Sequence, residues 1–408
     1  MRYRTISKCR ICGSSRIDTI LDLGNHPLAN SLKKRQYEKE VRFPLTLAFC
    51  RDCALVQIKE TVNKEMLFRR YFWVTSTSRT AREFSEIFFK KTMNTVKLKK
   101  EEFVLEIASN DGTYLKSFLS AGLNVLGVDS AENIVQIANS AGVPTISAFW
   151  NEKTAQRIEK KFGKAKFLFA RNVLAHVSQL DEVVLGIQRI LAENGVGAVE
   201  FHYAGTILKE LQYDSIYHEH LCYFSIQTAE RLLNQFGLHV FHIEMSPISG
   251  GAYILYFSKN ARQKTVQYNK LKKQETALSI NRFTLWKKFA LRCIQHKKLS
   301  QKMFNSFNGQ RIAGFGSSAR SSTYLNFCGF DQADISAIID NNRLKHGFYS
   351  AGSSIPIVSK EEGLRLKPDI LFILAWNFKD EIIKECRAMG FKGKYLIPFP
   401  KKIYLVKK

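Results

Sequence analysis

The stretch that decides the fold of this chain reads Phe103-Val104-Leu105-Glu106-Ile107-Ala108-Ser109-Asn110-Asp111-Gly112. Its first half is a short apolar run, which is typical of a buried strand. Its second half is a turn of small and polar residues, and a segment with helical character follows over Tyr114–Ala121. A strand, a turn and a helix in this order predict the first step of a parallel α/β sheet.

The alternation of strand and helix continues in two separate blocks. Further strand candidates in the first block are Val125–Val128, Phe167–Ala170 and Gly197–Phe201, and about 61–100 has helical spacing. The second block starts at Arg311–Gly316 and continues with Ile335–Ile339 and Ile370–Leu374. Between the blocks, 259–300 is rich in lysine and has no Gly or Pro, which predicts a long connecting helix. The chain is therefore predicted to hold two Rossmann-like units.

The composition is that of a globular protein with a large positive charge. With 408 residues and 45% hydrophobic content, the chain suits two or three domains and not a disordered protein. Its 62 Lys and Arg against 36 Asp and Glu give +26, a charge that favours nucleic acid or an anionic small substrate. The basic residues are spread out, without an aromatic-interleaved patch or a helix-turn-helix pattern. We therefore expect no nucleic-acid partner, and a sugar nucleotide fits the positive field.

The sequence shows neither a secretory signal nor an apolar run long enough for a membrane span. We therefore expect a cytoplasmic protein without a membrane partner. We also expect a monomer. In a reducing compartment, paired cysteines bind metal more often than they form disulfides.

Two cysteine pairs stand near the N-terminus, Cys9-x2-Cys12 and Cys50-x2-Cys53. Each pair can sit on a tight knuckle, so that four thiolates converge on one tetrahedral zinc ion. Gly13 helps the first knuckle to turn. Four thiolates leave no open coordination position, so the predicted zinc is structural. The other four cysteines are isolated and are expected to be small buried residues.

The turn after the first strand is the first candidate nucleotide site. Small residues between a strand and a helix let a ligand approach the backbone closely, but the turn lacks the GxGxxG pattern of dinucleotide sites. Asp129, at the end of the next strand, is placed to accept hydrogen bonds from ribose hydroxyls, although such a residue is also often a helix cap. The candidate cofactor contacts here are Glu106, Ala108, Asn110, Asp111, Gly112 and Asp129.

Several uncommon motifs occur together in one order over nearly the whole chain. They are the two cysteine pairs with Leu23-Gly24-x-x-Pro27-Leu28-Ala29-Asn30, the block 106–112, Asn172-Val173-Leu174-Ala175-His176, Tyr217-His218-Glu219-His220, Gly314-Phe315-Gly316 and Ala375-Trp376-Asn377-Phe378. With these motifs the sequence resembles the sugar C-methyltransferases, a class I group that uses S-adenosylmethionine (SAM).

The resemblance implies an α/β protein with a class I methyltransferase sheet at its centre. Residues 1–65 would form the zinc-binding module, 66–258 the SAM-binding domain, 259–300 the helical linker and 301–408 a second Rossmann-like domain that binds the nucleotide sugar. Asn172 would join the SAM contacts. The substrates of this family are 4-keto nucleotide sugars, methylated at C3.

The chemistry expected of such an enzyme needs a base. A carbon nucleophile arises when a C–H bond next to a ketone is ionised to an enolate, which requires a general base near that carbon. By resemblance, His220 is the predicted base, Tyr217 assists it or stabilises the enolate oxygen, and Glu219 orients the sugar or a partner side chain. Tyr71 and His176 match two further family positions near the reacting centre. Alternatively, the cluster is a buried polar network, or its histidines bind a metal.

The second block supplies the predicted substrate site. Backbone N–H groups of Gly316, Ser317 and Ser318 at a strand-to-helix turn can hold phosphate, with charge added by Arg320. Lys345 lies in the loop after the next strand, and Trp376 and Asn377 belong to the late motif. The alternative is a Rossmann turn that is kept only for packing.

Two other functions remain open from the sequence. One is a methyltransferase that acts on oxygen or nitrogen of a sugar, since it needs the same fold and a base for a hydroxyl or amine. The other is a zinc-ribbon protein that binds nucleic acid. One departure bears on the substrate: Ser249-Gly250-Gly251 stands where the family usually has His-Gly-Gly.

Overall fold

The computed structural model describes residues 2–68 and 74–406. The strands are β1 (Tyr3–Thr5), β2 (Ile17–Pro27), β3 (Arg42–Cys50), β4 (Val56–Ile58), β5 (Glu60–Val62), β6 (Phe103–Ile107), β7 (Asn124–Asp129), β8 (Thr145–Ser147), β9 (Ala165–Arg171), β10 (Leu191–His202), β11 (Cys222–Tyr223), β12 (His239–Ser246), β13 (Ala252–Ser258), β14 (Ile312–Phe315), β15 (Ile338–Ile339), β16 (Ile357–Val358), β17 (Ile370–Ile373), β18 (Lys394–Ile397) and β19 (Tyr404–Val406). The helices are α1 (Lys64–Phe68), α2 (Arg79–Val96), α3 (Leu115–Ser120), α4 (Glu132–Ser140), α5 (Glu152–Phe162), α6 (Leu180–Ile190), α7 (Ala204–Glu210), α8 (Ile226–Asn234), α9 (Val266–Ala277), α10 (Phe283–Asn305), α11 (Ala319–Cys328), α12 (Lys360–Arg365) and α13 (Lys379–Ala388).

The central sheet has the order β12-β13-β10-β9-β6-β7-β8. The five strands from β10 to β8 are parallel, and β13 and β12 complete the sheet as antiparallel strands. From β6 the chain runs outward through β7 and β8, then returns to the other side of β6 as β9. Ligands of open α/β sheets bind at the carboxyl ends of the strands where the order reverses in this way. The expected strand–turn–helix unit at 103–121 is confirmed.

The strands of the central sheet form because their residues are apolar on both faces. All five residues of β6 are buried, as expected of a central parallel strand with helices on both sides. On one face, Phe88 of α2 packs against Phe118, Phe167 and Phe169, with ring centroids 5.2–6.4 Å apart. This aromatic layer fixes α2 and α3 against the sheet.

The second block also forms a parallel sheet, in the order β16-β15-β14-β17-β18-β19. Only β19 is antiparallel to its neighbour. Its reversal point lies between β14 and β17, so the turn after β14 occupies the position in this sheet that the turn after β6 has in the first. The prediction of two Rossmann-like α/β units is confirmed.

The segment between the sheets differs from the expected single helix. It forms two helices, α9 and α10, with a break over 278–282 where Ser279 takes a left-handed φ of 54°. Trp286 Nε1–H donates to the carbonyl of Ile280 in this break (2.9 Å), which ties the bend to the start of α10. The absence of Gly and Pro did not reveal the break, because a buried tryptophan stabilises it.

The N-terminal part packs against both sheets. Strands β2, β3 and β4 form an antiparallel sheet whose fourth strand is β11, contributed from residue 222 onward. The backbone N–H of Leu221 donates to the carbonyl of Ala175 at 2.6 Å. The motif 217–220 is therefore held between the N-terminal sheet and the central sheet. In the ranges 2–68 and 74–406, no helix has the length and apolar character that crossing a membrane requires.

Candidate functional site

The four N-terminal cysteines converge on one point. The Cys9 and Cys53 sulfurs lie 3.5 Å apart, as do those of Cys12 and Cys50, and all four sulfurs lie within 4.8 Å of one another. Zinc–sulfur bonds of about 2.3 Å in a tetrahedron place the sulfurs roughly 3.8 Å apart. The geometry and the donor set therefore fit one zinc ion, which confirms the predicted structural site. The isolated cysteines are buried, as expected.

The two zinc knuckles have the same backbone form. Gly13 and Ala54 each follow the second cysteine of a pair with φ of 68° and 65°, and each donates its N–H to the carbonyl of the first cysteine. Glycine adopts this left-handed conformation freely, whereas alanine pays roughly 1–2 kcal/mol for it.

Replacing Ala54 with glycine is expected to raise the free energy of unfolding of the zinc-loaded protein by about 0.5–1 kcal/mol. The matched variant Gly13→Ala is expected to lower it by a similar amount, because a Cβ there meets no atom within 4 Å and acts through the backbone alone. Urea unfolding with one bound zinc per chain measures both. Equal destabilisation by the two variants would contradict this account of the knuckles.

The turn after β6 forms a cradle at the reversal point of the central sheet. Ala108, Asn110 and Gly112 all have left-handed φ values, of 53°, 50° and 74°. Asp129 accepts hydrogen bonds from the N–H groups of Asn110 and Ala131, both at 2.9 Å. The predicted cofactor turn and the predicted ribose carboxylate are thus joined directly.

Neighbouring segments enclose this cradle. Asn110 Oδ1 accepts the N–H of Thr75 at 2.8 Å, and Asp111 accepts that of Ser76 at 3.0 Å. Asn172, which follows β9, has a φ of 54° and donates its N–H to the carbonyl of Glu200. The seven predicted cofactor residues therefore lie on the carboxyl ends of three adjacent strands.

Glu106 places an unpaired buried acceptor in this cradle. Its carboxyl group is buried, and its Oε2 has no hydrogen-bond partner among the residues described. Burial raises the pKa of this carboxyl well above its usual range. Buried acceptors normally have a hydrogen-bond partner. An unpaired one therefore suits a ligand with hydrogen-bond donors or a positive charge. SAM carries both.

His220 is held at both ring nitrogens. Its Nδ1 lies 2.9 Å from the carbonyl oxygen of Ser215, and because a carbonyl only accepts, Nδ1 carries the proton. Its Nε2 lies 2.7 Å from the hydroxyl of Tyr217, which therefore donates to the Nε2 lone pair. This arrangement selects one tautomer, whose basic lone pair is shared with Tyr217.

Two further histidines surround this pair. His176 lies in the turn after β9, and its ring packs edge-on against that of His220 with centroids 4.8 Å apart. His202 is the last residue of β10, the neighbour of β9. The histidine cluster therefore lies at the same edge of the central sheet as the cofactor cradle.

The other two residues of the motif point toward the N-terminal part. Glu219 is buried and accepts a hydrogen bond from the Asn30 amide at 2.7 Å. His218 Nε2–H donates to the carbonyl of Pro44 at 3.0 Å, so His218 holds β3 in place. Asn30 and Glu219 also line a cleft of about 580 Å³ between the N-terminal part and α4. Tyr71, the remaining predicted site residue, lies outside the described residues.

Burial sets the protonation of this site. It lowers the pKa of His176 to about 4 and of His202 to about 3, and it lowers that of His220 well below its usual value, with His176 adding to the effect. Burial raises the pKa of Glu219 to about 7, opposed by the Asn30 amide. At neutral pH the histidines are therefore uncharged bases, and Glu219 exchanges a proton readily.

The buried histidines predict a loss of stability in mild acid. Those with a pKa lowered by burial are His26, His176, His202, His218, His220 and His296, against four carboxyls with a raised pKa, Glu60, Glu106, Asp129 and Glu219. Below about pH 6.5 the unfolded histidines take up protons that the folded ones refuse, so stability falls with pH. The carboxyls have the opposite sign but are fewer.

As the pH falls from about 6.5 to 4.5, each unfolded histidine that gains a proton lowers the free energy of unfolding by roughly 1.4 kcal/mol per pH unit. Because the histidines outnumber the four opposing carboxyls, we expect a net fall in stability. Urea unfolding midpoints at pH 7.5 and 5.5 measure this. A midpoint that stays constant or rises at pH 5.5 would show that the histidines are not buried as neutral groups.

The turn after β14 repeats the carboxylate arrangement of the cofactor cradle. Asp340, after β15, accepts the N–H groups of Ser317 and Asn342, both at 2.8 Å. Lys345 Nζ donates to the Ser317 carbonyl at 2.6 Å and pairs with Asp340 at 3.3 Å. Gly316 has a φ of 100°, and a Cβ there would lie 2.4 Å from the Cβ of Ala375. The residues Gly316, Ser317 and Ser318 form this turn, and Lys345 contacts it from the loop after β15.

Arg320, for which a phosphate contact is predicted, also contacts a carboxylate and an aromatic ring of the chain itself. Its Nε and Nη2 both donate to the carboxylate of Asp214 at 2.9 Å, and its guanidinium lies 4.9 Å from the ring centroid of Trp376. Trp376 Nε1–H donates to the same carboxylate at 2.9 Å. Asn377, its neighbour, is exposed. Arg320 and Trp376 therefore join the two halves of the chain.

Sequence reasoning missed three groups of this site: Asn30, His202 and Asp214. Asn30 stood in a quoted motif without a role, and His202 directly follows the predicted strand Gly197–Phe201, a position where ligand-binding residues of parallel sheets concentrate. Asp214 had no such signal. A separate cavity of about 820 Å³ lies at the amino ends of β14, β17 and β18, the opposite edge of that sheet. Its position is unlike that of ligand sites in α/β sheets.

Three family models match consecutive parts of the chain. Residues 9–68 match a zinc binding domain, 78–243 a methyltransferase domain, and 247–400 the C-methyltransferase C-terminal domain. C-methyltransferase NovU of Streptomyces niveus is 29% identical over 404 residues, which are 97% of this chain and 96% of that protein.

Two solved structures resemble the chain over a smaller part. The PH0226 protein of Pyrococcus horikoshii is 15% identical, with a TM-score of 0.38 over 48% of this chain and 98% of its own. Magnesium protoporphyrin IX methyltransferase of Synechocystis, with bound SAM, is 14% identical, with a TM-score of 0.33 over 44% and 79%. The identification rests on the family models and the full-length relative. The chain is therefore similar over nearly its whole length to a C-methyltransferase, and it matches in turn the models of a zinc binding domain, a methyltransferase domain and a C-methyltransferase C-terminal domain.

Proposed function

We propose that this enzyme methylates C3 of a 4-keto-deoxy nucleotide sugar, in the biosynthesis of deoxysugars for glycans, and that His220 and Tyr217 form its base. The observation that carries the proposal is the neutral His220–Tyr217 pair at the cofactor edge of the central sheet. Methyl transfer to a hydroxyl also uses a base, but transfer to carbon depends on one more strictly, because a C–H bond must be ionised before the methyl group can be received. A buried, uncharged imidazole of fixed tautomer suits that second demand.

The proton of the substrate has a defined destination. The C3–H bond breaks, its electron pair forms the enolate, and one proton arrives at Nε2 of His220. Because the Tyr217 hydroxyl already donates to Nε2, the proton passes through the phenol oxygen while the phenol proton moves to the imidazole. The carbonyl of Ser215 continues to accept from Nδ1–H and stabilises the imidazolium.

The neighbours of the pair divide the remaining tasks. His176 covers one edge of the His220 ring and keeps water away from it. Glu219, with a pKa raised by burial to about 7, can donate to or accept from a sugar hydroxyl while Asn30 holds its other face. Tyr71 matches a family position near the reacting centre, and we propose a role for it in the reaction on that ground alone.

The cofactor would be held by the cradle after β6. Glu106, Asp129, Asn172 and the backbone of 108–112 would bind it, and bound SAM supplies a methyl group on a positively charged sulfur. The enclosed position of the cradle beside the histidine cluster allows the sugar carbon, the methyl group and the sulfur to align. When bound, SAM would supply the methyl group of the new C–C bond.

The nucleotide of the substrate is assigned to the turn after β14. Support comes from the repeated arrangement of Asp129 and Asp340, each bound to the first turn of its own sheet. The N-terminus of α11 supplies positive potential for phosphate, and Lys345 holds Asp340 and the Ser317 carbonyl beside it. Gly250, next to Ser249, lies close to Arg320, Gln212 and Trp376, so the replaced family histidine falls at the junction of the two halves.

The experiment is methyl transfer from SAM with a 13C-labelled methyl group to a panel of 4-keto nucleotide sugars and their 4-hydroxy counterparts. We expect transfer only to keto sugars, with long-range NMR correlations joining the new methyl protons to ring carbons C2 and C4. A methyl group on oxygen or nitrogen, or transfer to the 4-hydroxy sugars at equal rate, would favour the alternative sugar methyltransferases.

A further inference from the structure

Asp214 is a buried carboxylate that the proposed chemistry leaves unused. It is 1% exposed and lies in the short turn Tyr213–Ser215, three residues before Tyr217. Its three hydrogen bonds, all of 2.9 Å, come from Arg320 and Trp376, which belong to the C-terminal half. A buried carboxylate satisfied by a bidentate guanidinium and an indole N–H is a rigid attachment.

We propose that Asp214 is a positioning residue through which the C-terminal half of the chain fixes the orientation and tautomer of His220. The inference rests on the proposed role of His220 and Tyr217 as the base. Asp214 itself contacts neither the imidazole nor the hydroxyl of Tyr217.

The first step from Asp214 to His220 is one peptide unit. Ser215 follows Asp214, and its carbonyl oxygen is the acceptor for Nδ1–H of His220. On the other side of Ser215, the hydroxyl of Thr323 in α11 donates to the carbonyl of Ile216 at 3.0 Å. Both neighbours of the Ser215 carbonyl are therefore held by the C-terminal half.

The second step concerns the tautomer. A neutral imidazole has its proton on one nitrogen only, and the hydrogen bond at one nitrogen decides which. With the Ser215 carbonyl in place, the proton stays on Nδ1 and the lone pair on Nε2 faces Tyr217. If that carbonyl moves away, the Nε2–H tautomer and a rotated ring become accessible, and neither can take a proton from Tyr217.

The assignment also changes the role of Arg320. The Nε and Nη2 groups of its guanidinium both donate to the Asp214 carboxylate. Nη2 also donates to the side-chain oxygen of Gln212 at 3.3 Å. Its charge is thus compensated inside the protein. Changes at Arg320 are then expected to lower kcat through His220, and not to weaken the binding of the phosphates.

The test uses three variants of the full-length enzyme: Asp214→Asn, Arg320→Lys and Trp376→Phe. The last removes one N–H donor and keeps an aromatic ring against Arg320, so it preserves the packing best. We expect kcat to fall roughly 10- to 100-fold, while KM for the keto nucleotide sugar and the dissociation constant of SAM change less than about threefold. NMR of 15N-histidine protein is expected to show loss of the single Nδ1–H tautomer of His220.

The matched control is Asp369→Asn, which breaks an exposed ion pair with Arg311 at the opposite edge of the C-terminal sheet and is expected to leave kcat unchanged. If Asp214→Asn fails to fold, as circular dichroism would show, Trp376→Phe decides alone. The proposal is overturned if Trp376→Phe keeps wild-type kcat, if KM for the sugar rises with kcat unchanged, or if kcat falls while the His220 tautomer stays single. Wild-type turnover by His220→Ala would instead refute the proposed function.

Discussion

His220→Ala is expected to lose methyl transfer by a factor of roughly 10²–10⁴ while it binds SAM with nearly wild-type affinity. General-base catalysis contributes about this much, and His220 lies outside the cradle after β6 that would hold the cofactor. Steady-state kinetics with a 4-keto nucleotide sugar and calorimetric titration with SAM measure the two effects. His242→Ala is the control, because His242 lies on β12, at the edge of the sheet, and contacts Thr265 and Glu244.

Tyr217→Phe tests whether Tyr217 relays the substrate proton to His220 or only holds the imidazole by a hydrogen bond. If the proton reaches Nε2 through the phenol oxygen, Tyr217→Phe loses nearly as much activity as His220→Ala, and the double variant is no worse than either, because the residues act as one unit. Losses that multiply in the double variant would show that Tyr217 acts separately from His220. Wild-type turnover by His220→Ala would refute the base assignment outright.

Removal of zinc is expected to abolish activity although the metal lies outside the chemistry. A zinc ion bound by the four cysteines would tie the carboxyl end of β3, at Cys50, to the loop from Cys9 to Cys12. The sheet of β3 pairs through β4 with β11, which follows the motif 217–220. Asn30, the partner of Glu219, belongs to the same part of the chain. Since apparent zinc binding in small modules is worth about 10–16 kcal/mol, its loss unfolds the module and releases Glu219.

Cys50→Ser is the variant that tests this. We expect bound zinc, measured by elemental mass spectrometry, to fall well below one per chain, with kcat reduced in proportion to the metal lost. Cys386→Ala removes a buried cysteine of α13 that is not a ligand and is expected to keep zinc and activity. Full activity in metal-free Cys50→Ser protein would contradict the coupling between the module and the site.

The parts of the fold that the sequence predicted are those with local signals. The run 103–112 encodes a buried strand and a turn within ten residues, and each CxxC pair encodes its own knuckle. The motif 217–220 likewise brings Tyr217 and His220 together within one turn of chain. Local sequence therefore predicted the two α/β sheets and the zinc ligands, whereas the choice of His220 as the base came from the resemblance to the sugar C-methyltransferases.

The contacts that complete the site join distant residues and leave no local pattern. The hydrogen bond from Asn30 to Glu219 spans 189 positions, and the ion pair of Arg320 with Asp214 spans 106. The sequence pattern predicts a phosphate contact for Arg320, because an arginine after a glycine turn suits that ligand. Only the folded chain shows a buried carboxylate competing for the same guanidinium.

In the proposed reaction His220 enables ionisation of the substrate carbon, and proton exchange tests this step without methyl transfer. The enzyme is incubated in D2O with a 4-keto nucleotide sugar and S-adenosylhomocysteine, and NMR follows deuterium at C3. We expect the wild type to exchange the C3 hydrogen well above the rate in buffer, and His220→Ala to exchange it no faster than buffer does. Both proteins are expected to bind S-adenosylhomocysteine. Exchange by His220→Ala at the wild-type rate would contradict this role of His220.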